Sequence, residues 1–319
     1  MFGKTPPFDE YAREFIVQLQ KSGMKRKSTV KSYAGHVKNW CAYFSNTPLA
    51  RITYTMIESG LDWLASTRGV KPRTVNLHLV TLRNVFMRAK RDGWIKTPPY
   101  DGEPMWREVL QVKRPLFTPE ELDRLCKKAL SLSRNGRQFV DFMLLMCFSG
   151  GRMAETLRLR WCHVDWGNEQ LVIGADGLSK GKKPRTVDFN DNLAAHLKEM
   201  HSHRLSDEWL FPSAQRGREG EAARSFRETL MLAREAAGLG TARKERTGFA
   251  IGFHDARHFF ASHVVMSGTD FKTAARWLGH TDDGILLAQV YSHLSDEHAK
   301  QAAKRVTFGP IIIEGQAAA

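Results

Sequence analysis

The chain has 319 residues, enough for two domains, and its 42% hydrophobic and 26% charged residues are typical of a folded protein rather than a disordered one. Lys and Arg number 48 against 34 Asp and Glu, a formal net charge of +14 that favours a polyanionic partner over a neutral metabolite. The sequence contains no membrane-spanning apolar stretch and no secretory signal, and its four widely spaced cysteines are typical of a reducing cytosol.

The positive charge is concentrated in the first third of the chain. Residues 1–100 contain 17 Lys or Arg and 6 Asp or Glu, a net charge of +11, so the remaining residues contribute only +3. This distribution predicts that the first third is the surface that neutralises phosphates. The candidate contact side chains are Lys25, Lys27, Lys31, Arg73, Arg83 and Lys90.

Apolar residues in the first third recur at steps of three and four, which predicts four helices packed as a small all-α bundle over residues 1–95. Ser28 is the predicted N-cap of the second helix, and either Thr53 or Thr55 caps the third. The fourth helix is expected to begin at Pro72, which suits a first helical turn, and to end at Gly93.

Residues 96–115 are rich in proline and weakly periodic, so they are predicted to be a linker, and the second domain is expected over 116–319. It opens with a capping box from Thr118 to Glu121. An apolar helix is predicted to end at Gly150, before two β-branched runs, 170–173 and 185–189, that predict a β-hairpin with a basic tip. The expected fold class is therefore mainly α, with one small β-hairpin or sheet.

Four clusters in the second domain carry groups that can act on a phosphodiester. In chain order they are S-G-G-R-M-A-E at 149–155, the hairpin tip K-G-K-K-P-R at 180–185, H-D-A-R-H at 254–258, and L-G-H at 278–280 followed by Y-S-H at 291–293. In-line phosphoryl transfer needs a nucleophile, donors to the non-bridging oxygens and an acid for the leaving oxygen.

Each of these tasks has a candidate. Tyr291 is the only tyrosine after residue 100 and can form a covalent phosphotyrosine. Arg152 and Arg257 offer planar forks to two oxygens, and histidines add further donors. Lys180 can protonate the departing sugar oxygen, although Lys182 and Lys183 compete for that role.

The order of these motifs resembles that of the tyrosine recombinases, the phage integrase family, in a short two-domain form, and the likeness covers nearly the whole chain. The resemblance implies an all-α core-binding domain and a mostly α catalytic domain that together clamp DNA. Carried over by motif, Arg152 and Arg257 match the activating arginines, Lys180 the hairpin lysine, and Tyr291 the nucleophile. The remaining matches are His254 and His280, the two histidines, and Glu155, the supporting acid.

The family joins a 3′-phosphate to tyrosine, releases a 5′-hydroxyl and reverses the step with another strand, and it needs no metal, ATP or other cofactor. The implied partners are double-stranded DNA with specific recombination sites, further copies of the chain in a tetrameric synapse, and accessory proteins that set direction. A bacterial or phage origin, a cytoplasmic location at the nucleoid and the absence of a membrane partner follow from the same resemblance.

Two segments depart from the family pattern. The interval from His280 to Tyr291 is about two residues longer than usual, and residues 241–253 are expected to form an extra loop before H-D-A-R-H. An apolar tail, 308–313, is expected to fold back on its own domain, to be disordered, or to dock on a neighbouring copy, and these alternatives stay open.

Three other functions can be drawn from the same residues. His254 and His258 flank an acid as in zinc hydrolases, which would give Arg152 and Tyr291 no role. A DNA-binding protein with a vestigial site is the second alternative. A type IB topoisomerase uses nearly the same chemistry, and strand joining between two duplexes would distinguish it.

Overall fold

The computed structural model describes residues 5–100, 107–109, 114–132, 135–177, 183–282 and 284–291. The chain divides into two compact units, Met1–Val112 and Lys113–Ala319. The described part is mostly helical with one small sheet, which confirms the predicted fold class. Among these residues, no helix combines the length and apolar character that a bilayer crossing requires.

The first unit is a bundle of four helices around an aromatic core. The helices are α1 (Phe8–Lys21), α2 (Lys27–Phe44), α3 (Tyr54–Ser66) and α4 (Pro72–Arg91). Trp40 and Phe44, one turn apart on α2, stack with ring centroids 5.3 Å apart, and Phe8 packs edge-on against Phe44 at 5.0 Å. Side chains at this spacing share one helix face, and burying them fixes the helix against its neighbours.

The predicted helix starts of the first unit are partly right. Helix α2 begins at Lys27, one residue before Ser28, so Ser28 lies inside the helix and its predicted role as N-cap is wrong. The extended backbone of Arg26 begins the helix instead, without a side-chain cap. For α3, Thr53 rather than Thr55 is the cap, since its hydroxyl accepts the N–H of Met56 at 3.3 Å. Pro72 opens α4 as predicted.

The second unit begins with the predicted capping box. Thr118 Oγ1 accepts the N–H of Glu121 at 3.2 Å, and the carboxylate of Glu121 accepts the N–H of Thr118 at 3.3 Å. The helices that follow are α5 (Pro119–Leu132), α6 (Gly136–Ser149), α7 (Met153–Thr156), α8 (Asp191–Ser202), α9 (Arg227–Ala236), α10 (Thr241–Thr247), α11 (Phe253–Met266), α12 (Phe271–Leu278) and α13 (Ile285–Tyr291).

Helix α6 is the centre of this unit. It is apolar on most of its surface, and Phe139, Phe142 and Leu145 are fully buried, as expected for a helix enclosed by others. Phe142 packs against Phe253 of α11 with ring centroids 5.6 Å apart. The middle of α6 and the N-terminus of α11 are therefore held in one core, and the residues that leave α6 enter the candidate site.

The predicted hairpin is present as part of a three-stranded antiparallel sheet of order β1-β2-β3, with β1 (Val164–Asp165), β2 (Gln170–Ile173) and β3 (Arg185–Asp188). Leu171 pairs with Val187 and Ile173 pairs with Arg185. Because alternate residues of a strand share a face, Arg185 points to the same side as the buried Val187.

Residues 241–253 contain a helix, so the expectation of an extra loop is corrected. Helix α10 ends at Thr247, with Gly248 as its C-cap, and its Arg243 is 1% exposed. Arg243 Nε lies 2.9 Å from the Glu121 carboxylate, and its Nη1 donates to the carbonyl of Phe249 at 3.0 Å. A buried arginine with these partners ties the segment into the core. The polar composition of the segment predicts a loop, because it gives no sign of these contacts.

Candidate active site

The turn between α6 and α7 places Arg152 at the site. Gly150 has φ +66°, a left-handed conformation that ends α6, and a Cβ there would lie 2.5 Å from the ring of Phe260. Glycine is therefore required both by the backbone and by the close approach of α11. The chain then extends through Arg152, the N-cap of α7, so that its side chain projects from a helix start.

Glu155 holds two arginines at once. Its side chain is 6% exposed, with Oε1 3.0 Å from Arg152 Nη1 and Oε2 2.8 Å from Arg185 Nη1. Burial raises the pKa of the Glu155 carboxyl, but the cations of Arg185 and Arg152 outweigh it and bring that pKa below its ordinary value. Glu155 is thus an ionised carboxylate that fixes the direction of both guanidinium groups.

Arg257 is fixed by backbone carbonyls. It is 5% exposed, its Nη1 donates to the carbonyl of Gly150 at 2.8 Å, and its Nη2 donates to the carbonyl of Leu278 at 2.5 Å. These two acceptors lie at the C-termini of α6 and α12, so one side chain joins three helices. Arg152 Nη2 reaches the next carbonyl of the same turn, Gly279, at 3.5 Å.

His280 follows the end of α12. Gly279 has φ +67°, and a Cβ there would lie 2.8 Å from Arg185 Cδ, so the glycine of L-G-H gives the arginine its space. The buried Nδ1 of His280 has no hydrogen-bond partner within the part of the chain that the structure describes. Burial lowers the pKa of His280, and the Arg257, Arg152 and Arg185 cations lower it further against an opposing effect of Asp282.

His254 and His258 lie one turn apart on α11, with ring centroids 4.5 Å apart in an edge-to-face arrangement. His254 is exposed at the start of the helix, while His258 is partly buried. Burial and the neighbouring His254 lower the pKa of His258 to about 4. Although much of the His254 side chain is open to solvent, its ring is partly desolvated where it packs against His258. This desolvation and the Arg257 cation lower the pKa of His254, so both rings are neutral at pH 7.

Arg152, Glu155 and Arg257 meet in the structure at the turn that carries His280, although these residues are far apart in the sequence. Lys180 and Lys182 lie outside the described residues, whereas Lys183 is exposed at the base of β3. Tyr291 is the last residue of α13, and its side chain lies outside the described part. The tail over 308–313 lies outside it as well.

In the first unit, the six candidate phosphate contacts are exposed. Lys27 and Lys31 lie on α2, and Arg73, Arg83 and Lys90 lie on α4 at positions that share one side of the helix. These side chains lie away from the buried apolar side of α4. Their exposure is consistent with the predicted phosphate-binding surface.

Two residues of the second unit escaped the sequence interpretation. The sequence places Arg185 in a basic tip, yet its side chain is 7% exposed and joins Glu155 to Trp277, whose carbonyl accepts its Nε–H at 2.7 Å. The alternation of the strand is a usable signal for this burial, since Arg185 lies on the same face as Val187. The sequence places Arg114 in the linker, yet it pairs with Asp255, and no local pattern indicates that contact.

The zinc-hydrolase alternative does not fit this geometry. Asp255 is 1% exposed, and its carboxylate binds Arg114 and the N–H of Gly252 instead of facing the two histidines. Among the described residues, no cluster of three or more His, Cys, Asp or Glu is placed to hold a metal ion.

The arrangement is suited to an anion that carries more than one negative charge. Arg185, Arg257 and Arg152 donate to the successive carbonyls of Trp277, Leu278 and Gly279, so three guanidinium groups meet at this turn, and arginine forks match phosphate oxygens. Neutral histidines at the edge of the cluster add hydrogen-bond donors without adding repulsion between cations.

Comparison with known proteins agrees with this geometry. Residues 116–298 match the phage integrase family, and residues 7–107 match the phage integrase SAM-like domain. Tyrosine recombinase XerD of Caulobacter vibrioides is 28% identical over 307 residues, which cover 91% of this chain and 93% of that protein. Tyrosine recombinase XerC of Xanthomonas axonopodis pv. citri is 30% identical over 240 residues, which cover 72% of this chain and 70% of that protein.

A solved structure shares the fold. The lambda integrase tetramer bound to a Holliday junction has a TM-score of 0.70 at 20% sequence identity, over 88% of this chain and 80% of that one. The family match covers more than half of the chain and includes the arginine cluster described above. The chain therefore belongs to the phage integrase family and is a site-specific DNA recombinase of the tyrosine type.

Proposed function

We propose that Tyr291 attacks a phosphodiester of duplex DNA at the site formed by Arg152, Arg257, His254 and His280. The Tyr291 phenolic oxygen forms a bond to phosphorus while the bond to the 5′ oxygen breaks, which leaves a 3′-phosphotyrosine and a 5′-hydroxyl. Reversal by the 5′-hydroxyl of another strand joins two DNA molecules. The bond energy stays in the protein–DNA link, so neither ATP nor a metal is part of the proposed step.

The observation that supports this proposal most strongly is the pair of fixed guanidinium groups. Arg257 is buried with two carbonyls on its Nη atoms, and Arg152 is held by Glu155. Donors fixed in advance stabilise the charge that develops on the non-bridging oxygens, because they need not reorganise during the reaction. We assign Arg185 a role through Glu155, as the residue that keeps the carboxylate directed at Arg152.

The protonation states fit the same roles. A tyrosine has an ordinary pKa of about 10, so cations near the phosphate are needed to favour its phenolate. Histidines with lowered pKa values are neutral at pH 7 and can donate one N–H each to the phosphate. The acid for the 5′ oxygen is assigned to the hairpin lysines, with Lys180 preferred and Lys182 and Lys183 as alternatives.

The nucleophile is tested by Tyr291→Phe. DNA affinity should stay within about threefold of the unmodified protein, because one hydroxyl is lost, while the covalent adduct on a nicked suicide substrate should disappear. Denaturing gels that separate free from protein-linked DNA measure the adduct. Tyr54→Phe, an exposed tyrosine of the first unit, is the matched control and should form the adduct normally. An adduct that persists in Tyr291→Phe would show that another residue is the nucleophile.

We further propose that four copies act together on two DNA duplexes. The lambda integrase structure with the shared fold is a tetramer on a Holliday junction, which supports this assembly. Relatives from bacteria and four cysteines without a disulfide support a cytoplasmic location at the nucleoid. Accessory proteins that set the direction of recombination complete the proposed set of partners.

A type IB topoisomerase is the second candidate for the same chemistry. The discriminating experiment mixes two labelled duplexes that carry the target site and measures hybrid products. A recombinase yields hybrids between the two duplexes, whereas a topoisomerase relaxes supercoils and reseals each strand to its original partner. Relaxation without hybrids would contradict the proposal.

A further inference from the structure

Asp255 is the acidic residue inside H-D-A-R-H, and the proposed reaction gives it no role. Its side chain is 2% exposed, and Oδ2 accepts the N–H of Gly252 at 2.7 Å. This position lies in the first turn of α11, where a carboxylate is favoured by the unpaired N–H groups of the helix start. A carboxylate buried to this degree also needs a cation, because leaving it unpaired costs several kcal/mol.

That cation is Arg114. Its Nε lies 2.6 Å from Asp255 Oδ1, and its Nη2 lies 2.7 Å from Oδ2, so the guanidinium meets both carboxylate oxygens. The same Nη2 lies 3.3 Å from the carbonyl of Ala250, and the guanidinium carbon is 5.1 Å from the ring centroid of Phe249. This two-point geometry is specific to arginine, since a lysine ammonium is a single point charge.

A second arginine fixes the chain directly after Arg114. Nη2 of Arg243 donates to the carbonyls of Pro115 at 3.4 Å and Leu116 at 3.2 Å, while its Nε pairs with Glu121. The segment 114–118 is therefore held to both α10 and the start of α11. Arg114 has little freedom to move unless Asp255 moves with it.

The Arg114–Asp255 pair lies next to two residues of the site, His254 and Arg257. His254 precedes Asp255, and Arg257 follows it within the same helical turn, so the position of Asp255 sets the start of the helix that carries both. The charged or titratable groups that face His254 are Arg257, Asp255 and His258 of α11, Arg114 of the entering segment, and Arg152 of the turn before α7.

We propose that Arg114 is a positioning residue for strand cleavage. Through its two hydrogen bonds to Asp255 it fixes the first turn of α11, and with it the placement of His254 and Arg257 at the scissile phosphate. This inference rests on the proposed function of that site. It places a determinant of the reaction in the segment that enters the second unit, four residues before the Thr118 cap.

The test compares Arg114→Gln, Arg114→Lys, Asp255→Asn and the double variant Arg114→Gln/Asp255→Asn. Single-turnover cleavage is measured with DNA at saturating concentration, together with DNA affinity and melting temperature. We expect Arg114→Gln and Asp255→Asn each to cleave about 10- to 100-fold more slowly, the loss that a small misplacement of reacting groups produces, with DNA affinity within about threefold. The double variant should be no slower than the slower single variant, because both changes remove one contact.

The conservative variant and a control complete the cleavage test. Arg114→Lys keeps the charge, stays folded by melting temperature and should recover part of the rate. Arg204→Gln, which breaks an exposed ion pair with Asp207 in the same unit, should cleave normally. The proposal is overturned by normal cleavage in Arg114→Gln, by losses that multiply in the double variant, or by a loss explained by weaker DNA binding with a shallower salt dependence. That last result would identify Arg114 as a phosphate contact.

A titration without DNA separates this proposal from the proposed function. In protein labelled at histidine, nuclear magnetic resonance follows the His254 ring as pH changes. Removing the Arg114 cation should raise the pKa of His254, and removing the Asp255 charge should lower it. If the unmodified chain forms no adduct, the proposed function fails, but the titration still shows whether the Arg114–Asp255 pair acts on His254. A His254 titration unchanged in both variants overturns the positioning role.

Discussion

The buried arginines of the second unit have partners that differ in kind, and this difference decides what each can do. Arg257 donates to two backbone carbonyls, those of Gly150 and Leu278, which fix the direction of its guanidinium group. Arg185 shares Glu155 with Arg152 and also binds a carbonyl of α12. A buried charge held in this way is costly to disturb, because its partner remains buried when it is removed.

Arg185→Met is therefore expected to lower the free energy of unfolding by about 3 kcal/mol, the lower end of the range for a broken buried pair, since Arg152 still faces Glu155. Cleavage should also slow, because Glu155 loses one of the two contacts that direct it. Urea unfolding measures the first effect and single-turnover cleavage the second.

Two further variants test whether the stability loss of Arg185→Met comes from its buried pair with Glu155. Adding Glu155→Gln to Arg185→Met should restore part of the lost stability, because it removes the charge of a buried carboxylate that has kept only the part-exposed Arg152 as its cation. Lys127→Met, which breaks an exposed pair with Asp123, should cost under about 1 kcal/mol. Equal losses for Arg185→Met and Lys127→Met would contradict the role assigned to the buried pair.

At the scale of elements, the ends of α6 and α12 shape the site more than their lengths do. Both helices end in a glycine with left-handed backbone, Gly150 and Gly279, and both of these turns supply carbonyls to site arginines. The helix ends present unpaired carbonyls, which bind cations favourably. The same turn chemistry that stops each helix thus also orients the arginines to which phosphate binding is assigned in the proposed function.

Gly279→Ala is expected to lower the free energy of unfolding by more than the cost of a left-handed alanine backbone, because the added Cβ also clashes with Arg185. Gly238→Ala is the matched control, because Gly238 has φ +69° and open space at the Cβ position, so its cost should be about 1–2 kcal/mol. At Gly279 the Cβ would also displace Arg185, which should at least double that loss and slow cleavage. Equal costs in urea unfolding would contradict the steric role of this glycine.

A pair of histidines gives the contact between α2 and α4 a pH dependence. The rings of His36 and His78 lie 4.1 Å apart, and His36 Nδ1 is 2.8 Å from Thr81 Oγ1. Burial, with the neighbouring His78, lowers the pKa of His36 to about 4, and burial also lowers the pKa of His78. Both rings are therefore neutral in the folded bundle at pH 7.

The unfolded chain binds protons at these histidines near pH 6.5, whereas the folded bundle binds the His36 proton only near pH 4. The contribution of the neutral pair to the free energy of unfolding is therefore complete above pH 6.5 and is lost as pH falls towards 4. Urea unfolding of the full chain at pH 7.5, 6 and 5 should show the free energy of unfolding of the first unit falling with pH. His36→Gln should make this dependence shallower, whereas His201→Gln, in the second unit, should leave it unchanged. A first unit equally stable at pH 7.5 and 5 would refute the expectation.

At the scale of the whole molecule, the two units divide the work by charge. The first 100 residues carry a net charge of +11, and their basic side chains on α2 and α4 are exposed. The second unit carries little net charge but brings three arginines, Arg152, Arg185 and Arg257, to the end of α12. In the proposed function, the first unit therefore neutralises the DNA backbone broadly and the second stabilises one phosphate.

The triple variant Arg73→Gln, Arg83→Gln, Lys90→Gln should weaken DNA binding and make its salt dependence shallower by up to about 3 in the slope of log affinity against log salt, about one for each lost phosphate contact. Fluorescence anisotropy over a series of salt concentrations measures the slope. The control removes three exposed charges from the second unit, Lys127, Lys198 and Arg204, and should change the slope less. Equal changes would place the phosphate-binding surface elsewhere.

The sequence by itself determined the fold class, the capping box at Thr118, the β2–β3 pairing and the family, because each rests on local periodicity, turn chemistry or the order of motifs along the chain. It could not determine the partners of Arg185 or Arg114, nor the helix over 241–247. Those depend on contacts between residues up to 141 positions apart in the chain, for which no local pattern exists. Only the tertiary structure decided them, because a charge removed from water must find its partner wherever the packed core brings one within reach.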